Sequence, residues 1–203
     1  MKSVLEAMTE LVSRGFPKET AYRIANGDLP MDETSRMNRR REMGNTKKVY
    51  HVGAADITEF DPNAGVFDRA NTGTFVTDDP IMAQTYMDQG KQIYPLYIRD
   101  QDIPYIDAGD TYFSDIDGDL LSPRDEFIES FEGASTNEIA RYAGEAGLPG
   151  VEFRGVKDPG PHTRAAFAAD KDRLLELADI FDGGDGGDIP IVYSIQDPTL
   201  IRS

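Results

Sequence analysis

The spacing of apolar residues changes near Val49, and this change restricts the possible folds more than any other feature of the sequence. Before it, apolar residues recur every three or four positions, which is typical of amphipathic helices. After it, valine, isoleucine, tyrosine and phenylalanine form short runs between turn residues, which predicts strands. The predicted helices cover residues 2–14, 17–24 and about 33–43, and the predicted strands cover residues 48–52, 73–77, 92–98, 150–156 and 190–195.

Further helices are predicted between the strands. Asp79 followed by Pro80 has the form of a helix N-terminus, with proline in the first turn. Ser135 and Glu138 have the spacing of a capping box, in which each residue satisfies a backbone N–H of the other. These helices are predicted over 80–87, 136–145 and about 163–182.

Strands and helices do not alternate regularly along the chain, so the predicted fold class is α+β. The early helices and the later strands also suggest a division of the chain. We expect a helical N-terminal segment over 1–45 and one mixed domain over 46–203.

The composition excludes several kinds of site. There is no cysteine, which rules out disulfides, thiol nucleophiles and thiolate metal sites. Mean hydropathy is −0.49, and no apolar run approaches the roughly 20 residues of a membrane span. No signal peptide is recognised, so we expect a cytoplasmic protein without a membrane partner. We also expect no metal. In the acidic segment 115–119 the glycine comes too early for a calcium loop, and the segment is predicted to form a turn.

The net charge of −16 disfavours unspecific binding to nucleic acid. One segment departs from this charge, because residues 31–50 hold six basic residues and three acidic ones. Its basic residues extend from Arg36 to Lys48. Two interpretations remain open: a solvated helix face, or an anion-facing patch beside a cleft that could contact a nucleic acid.

His51, Phe75 and Tyr86 form the most informative constellation. His51 lies in a short strand, Phe75 lies in the next predicted strand, and Tyr86 follows Phe75 by eleven residues. Two aromatic faces brought together by a strand and the helix after it could hold a planar ring. The alternatives are a hydrogen-bonded structural histidine and ordinary aromatic packing in the core.

Several short motifs are informative together: Tyr50-His51-Val52-Gly53, Gly73-Thr74-Phe75, Asp79-Pro80, Ala83-Gln84-Thr85-Tyr86 and Ile189-Pro190-Ile191-Val192-Tyr193. Taken together, these motifs resemble the ADP-ribosyltransferase fold in its histidine-tyrosine-glutamate branch, which includes diphtheria toxin and the poly(ADP-ribose) polymerases. The closest similarity is to ADP-ribosyltransferase-like domains of polyvalent proteins from phages and mobile elements, and it extends from about residue 29 to residue 203. The resemblance implies two small antiparallel sheets with a split between them.

The resemblance implies that NAD binds as a co-substrate in the split. His51 would hold a ribose hydroxyl, the backbone of Val52 would hold the carboxamide, and Phe75 and Tyr86 would flank the nicotinamide ring. The other expected NAD-binding residues are the motif glycines Gly53 and Gly73.

This chain differs from the family pattern at the position of the catalytic acid. The resemblance places it four residues before Tyr193, where this chain has Ile189. Asp188 is one residue away, although a shift of one residue along a strand moves a side chain to the other face. Glu152 on another strand is the second candidate. We expect one of these two carboxylates to complete a catalytic set with His51 and Tyr86.

The expected function is therefore mono-ADP-ribosylation of a host macromolecule by a protein of phage or mobile-element origin, inside a bacterial cell. We expect a host protein as acceptor, with a nucleic acid as the alternative. A catalytically silent NAD-binding or protein-interaction module is the competing interpretation, and NAD hydrolysis is a third.

Overall fold

The computed structural model describes residues 3–13, 18–26, 33–54, 72–163, 170–181 and 189–202. The helices are α1 (Val4–Ser13), α2 (Lys18–Ala25), α3 (Glu33–Glu42), α4 (Pro80–Gln84), α5 (Thr136–Glu145) and α6 (Lys171–Phe181), and a 3-10 helix covers Pro198–Leu200. The strands are β1 (Lys47–Ala54), β2 (Thr74–Thr77), β3 (Lys91–Ile98), β4 (Tyr105–Tyr112), β5 (Ile116–Leu121), β6 (Phe127–Ala134), β7 (Gly150–Lys157), β8 (Val192–Ile195) and β9 (Ile201–Arg202). Across these ranges, no helix is long and apolar enough to cross a membrane.

The strands of the described ranges form one mixed sheet in the order β6-β5-β4-β7-β8-β2-β1-β3-β9. The α+β class is confirmed. The expectation of two separate antiparallel sheets needs correction, because β4 and β7 are parallel and the sheet is continuous. Its narrowest point is the junction of β1 and β2, where a single residue pair, Tyr50 opposite Thr77, joins the strands. The four residues of β2 bridge the two halves by pairing along their whole length with β8.

The strands β4, β5 and β6 were not predicted from the sequence. They carry many aspartate, glutamate and glycine residues, and only isolated positions such as Ile106, Ile116 and Leu120 are buried. The acidic residues 115–119 lie mostly on β5 rather than in a turn, which corrects the prediction for that segment. At this edge of the sheet one face remains in contact with water, so strand formation there leaves only a weak hydrophobic pattern.

The sheet has an apolar core on each face. Phe153 and Val192 belong to one buried cluster, whereas Tyr193 and Ile195 belong to the other. Successive residues of a strand point to opposite faces, so the alternation along β8 separates the two cores. The first core is covered by α5 and by Met82 of α4, and the second is closed by residues near the C-terminal 3-10 helix, including Leu200.

Both predicted helix starts are confirmed. Asp79 Oδ1 accepts hydrogen bonds from the backbone N–H groups of Ile81 and Met82, at 2.7 and 2.8 Å, and Ser135 and Glu138 form a reciprocal capping box. The helix after Asp79 is shorter than predicted, because α4 ends at Gln84 and Thr85 is its C-cap. Tyr86 therefore lies in a turn beyond the helix rather than on its face.

The N-terminal helices differ in how they contact the sheet. In α3, the guanidinium of Arg40 lies 4.3 Å from the centre of the Tyr97 ring on β3. Just after α3, the buried amide of Asn45 donates to the carbonyls of Tyr97 and Leu200, at 3.3 and 3.0 Å. The helices α1 and α2 pack against each other. We therefore expect α3 to contribute to the stability of the sheet and α1 and α2 to contribute little.

A truncation lacking residues 1–28 should remain folded, because it keeps α3 and Asn45. A longer truncation lacking residues 1–46 should melt at a clearly lower temperature, since it removes the two hydrogen bonds of the Asn45 amide, at about 0.5–1.5 kcal/mol each, and the packing of Arg40 on Tyr97. Circular dichroism and thermal melting of both truncations test this. An unfolded chain after the shorter deletion would show that α1 and α2 belong to the core.

Candidate functional site

His51 lies at the junction where β1 meets β2. Its side chain is half-buried, and Nδ1 lies 2.8 Å from the carbonyl oxygen of Phe75. A carbonyl can only accept a hydrogen bond, so Nδ1 carries the proton and, in the neutral ring, Nε2 is the acceptor. This bond supplements the single backbone pair that joins the two strands there.

The environment of His51 favours its neutral form. Burial lowers the pKa of His51 below its usual range, the hydrogen bond to the Phe75 carbonyl opposes this shift, and the positive charge of Lys91 lowers the pKa further. Desolvation disfavours the charged imidazolium and is the largest of these effects. The ring can therefore offer a lone pair on Nε2 to a hydroxyl donor at neutral pH.

The lowered pKa of His51 should make folding sensitive to mildly acidic pH. The unfolded histidine takes up a proton below about pH 6.5, whereas the folded one resists protonation until a lower pH. The free energy of unfolding should thus fall as the pH drops below about 6.5 and level off below the folded pKa. In His51→Gln, which keeps an amide donor, this part of the pH dependence should be absent. Urea unfolding of both proteins at several pH values tests it, and parallel curves would contradict it.

The backbone near His51 and Phe75 has little free space around it. Gly53 is buried and Val52 is half-buried on β1. Gly73 precedes β2 with a φ of +73°, and a Cβ there would lie 2.6 Å from the carbonyl oxygen of Ile195. Both the left-handed backbone and the close approach require glycine at position 73.

Phe75 lies at the edge of the first core. Its ring is half-buried and stacks on the fully buried ring of Phe153, with centroids 6.5 Å apart and an interplanar angle of 16°. Both interpretations of Phe75 thus remain compatible with its position. The ring belongs to the core through Phe153, and its backbone directly contacts His51.

Tyr86 is held by the loop that follows β7. Its hydroxyl donates to Oδ1 of Asp158, the first residue after β7. The same loop contacts the adjacent Thr85: the N–H of Gly160 donates to Thr85 Oγ1 at 2.9 Å, and the N–H of His162 donates to the Thr85 carbonyl at 2.7 Å. The contact of Tyr86 with Asp158 was not predicted, because 72 residues separate them and neither motif indicates the other.

The carboxylate of Glu152 is paired with a neighbouring residue on its own strand. Its Oε1 lies 2.6 Å from Arg154 Nε, and the Arg154 guanidinium lies 3.8 Å from the centre of the Tyr105 ring. Glu152 also lies opposite the buried Tyr193 on β8. The pKa of Tyr193 is raised, first by burial and then by the negative charge of Glu152.

The register of the sheet separates Glu152 from His51. Glu152 pairs with Tyr193, and Tyr193 pairs with Val76. Continuing the β1–β2 register by one residue from the pair Tyr50–Thr77 places His51 level with Val76. Three strand spacings therefore separate Glu152 from His51, or roughly 14 Å. The buried side chains of Tyr193 and Val76 lie between them, which weakens the case for Glu152 as an acid acting beside His51.

The other predicted acid, Asp188, lies outside the described residues. Ile189, at the position where the motif resemblance predicts an acid, is half-buried just before β8. Nearby, Asp78 accepts from the N–H of Ile191 at 2.9 Å and pairs with Lys47 at 3.0 Å. Asp78 thus connects the start of β1, the end of β2 and the start of β8.

The basic residues between Arg36 and Lys48 differ in their environments. Arg36, Arg41 and Lys48 are exposed, whereas Arg40 packs on Tyr97. Both interpretations of the segment, a solvated face and an anion-facing patch, remain predictions. In the part of the chain that the structure describes, no group of three or more histidine, aspartate or glutamate residues is placed to hold a metal ion.

Comparisons with known proteins add no relative. The chain matches no protein-family model, and no curated protein or solved structure is significantly similar to it.

Proposed function

We propose that the protein is a mono-ADP-ribosyltransferase that uses NAD to modify a host macromolecule. The observation that carries this proposal is the hydrogen bond from His51 Nδ1 to the Phe75 carbonyl at the β1–β2 junction, which leaves Nε2 as the acceptor of the neutral ring. An acceptor nitrogen fixed beside the backbone of the strand that carries Phe75 suits a ribose hydroxyl attached to a planar heterocycle. The similarity of the motifs to the ADP-ribosyltransferases supports the same choice.

In this proposal His51 Nε2 accepts a hydrogen bond from the nicotinamide-side ribose. The backbone of Val52 and Gly53 binds the carboxamide, Gly73 allows close approach of the chain, and Phe75 and Tyr86 contact the nicotinamide ring. The glycosidic bond then breaks, nicotinamide leaves with the bonding electron pair, and the acceptor attacks the ribose carbon. The proposal includes an origin in a phage or mobile element and action in the cytoplasm of a bacterial host. A host protein is the first acceptor to test.

The competing function is a silent NAD-binding or protein-interaction module. It is favoured by Ile189, which leaves the position of the family acid without a carboxylate. Hydrolysis of NAD with water as acceptor is the third alternative. Incubation with labelled NAD and a bacterial lysate separates the three. Transfer gives a labelled macromolecule, whose class follows from protease or nuclease digestion, hydrolysis gives free ADP-ribose, and a silent module gives neither product.

Tyr86→Ala should weaken the binding of a non-hydrolysable NAD analogue by about 1 kcal/mol, roughly fivefold, because one stacking face is lost. Tyr112→Ala is the matched control, since Tyr112 is 48% exposed on β4 and has no part in the proposed site. Calorimetry measures both affinities. Equal affinity of Tyr86→Ala and wild type would contradict the aromatic clamp, and the absence of binding by the wild type would contradict the proposed function.

A further inference from the structure

Asp158 is a carboxylate that the structure brings into contact with Tyr86, a residue of the proposed site. It accepts a hydrogen bond from the Tyr86 hydroxyl and is half-buried. Of the two carboxylates predicted from the sequence, Glu152 is paired with Arg154, and Asp188 lies outside the described residues. A transferase that acts through an oxocarbenium-like centre needs a negative group near the ribose.

The directions of the strands place Asp158 at the end of the sheet where β8 begins. β7 is antiparallel to β8, and β8 is antiparallel to β2. The C-terminal ends of β7 and β2 therefore lie at the same end as the N-terminal end of β8. Asp158 follows β7 directly, and Ile189 shortly precedes β8. The chain thus supplies a carboxylate at the end of the sheet where the family acid position carries an apolar side chain.

The loop that carries Asp158 is fixed to the turn that carries Tyr86. Besides the bond between Tyr86 and Asp158, the N–H groups of Gly160 and His162 both donate to Thr85. Gly160 is buried, and a Cβ there would lie 2.4 Å from Thr85 Oγ1 and 2.5 Å from the Thr85 carbonyl oxygen. This close fit leaves no room for a side chain at position 160, so the position of Asp158 relative to Tyr86 is set by two backbone N–H groups of its loop that donate to Thr85.

We propose that Asp158 is the catalytic carboxylate of this site, an inference that rests on the proposed transferase function. Its negative charge stabilises the ribose carbon as the bond to nicotinamide breaks, with the bonding pair leaving on the nicotinamide nitrogen. A lone pair of the acceptor then forms the new bond to that carbon. The proton released by the acceptor passes to the Asp158 carboxylate and from there to solvent.

The test compares the loss of the charge with the loss of the hydrogen bond. Asp158→Asn removes the charge but keeps an amide oxygen that can accept from Tyr86, whereas Tyr86→Phe removes the hydroxyl and keeps both the ring and the charge. Release of nicotinamide from NAD should fall by about a hundredfold or more in Asp158→Asn, the scale of a positioned acid or base. It should fall less than tenfold in Tyr86→Phe, and Asp158→Glu should recover part of the activity.

Asp88→Asn serves as the matched control, because Asp88 is an exposed carboxylate two residues after Tyr86 and should leave turnover unchanged. Thermal melting and NAD affinity of every variant exclude unfolding and lost binding as causes. Near-normal turnover in Asp158→Asn would overturn the assignment while the proposed function stands. Equal losses in Asp158→Asn and Tyr86→Phe would also overturn it, since Asp158 would then act only by positioning Tyr86. A wild type that releases no nicotinamide would overturn the proposed function and this assignment together.

Discussion

Phe153→Ala should lower the free energy of unfolding by about 3–5 kcal/mol, the usual cost of removing a large aromatic ring from a well-packed core. Phe153 has no exposed surface, and its ring stacks on Phe75 in the cluster shared by the sheet, α4 and α5. The cavity would also remove the surface against which Phe75 packs. We therefore expect weaker binding of NAD in conditions where the variant is still folded.

Phe127→Ala provides the matched control for Phe153→Ala. Phe127 begins the edge strand β6 and is 63% exposed, so its loss should change stability by no more than about 0.5 kcal/mol. Urea unfolding of the two variants measures the difference. Similar losses in both would show that the first core does not depend on Phe153 in the way its burial indicates.

His51→Ala should reduce transfer from NAD by roughly a hundredfold or more, the scale for removing one fixed hydrogen-bonding group from a transition state. Two effects combine in this variant. In the proposed site the ribose loses the acceptor at Nε2, and the junction of β1 and β2 loses the bond from Nδ1 to the Phe75 carbonyl. The initial rate of nicotinamide release at saturating NAD measures the loss.

His162→Ala is the control for His51→Ala, because the chain has only two histidines. The contact of His162 with Thr85 uses its backbone N–H, which alanine retains. His162→Ala should therefore keep normal turnover. His51→Gln, which restores a donor to the Phe75 carbonyl, separates the structural effect from the loss of Nε2. Activity of His51→Ala within threefold of wild type would show that His51 has a structural role only.

Structural features that depend on residues close together in the sequence could be predicted. The N-caps Asp79 and Ser135 satisfy backbone N–H groups within one turn, so their residue types indicate the helix starts directly. The apolar runs that became β1, β2, β3, β7 and β8 lie in the middle of the sheet, and β2, β7 and β8 are mostly buried there. The strands β4 to β6 lie towards the edge and combine few buried residues with many charges, so their pattern was too weak to recognise.

The sequence pattern was sufficient to predict the α+β class, the change from helices to strands near Val49 and the placement of His51 and Phe75 on consecutive strands. Three features became visible only in the folded chain: β2 bridges two halves of one sheet, Glu152 is paired with Arg154, and Asp158 contacts Tyr86. These contacts join residues that are far apart in the chain or depend on which strands become neighbours. Local propensity does not encode the order of strands, because that order follows from how all apolar faces are buried at once.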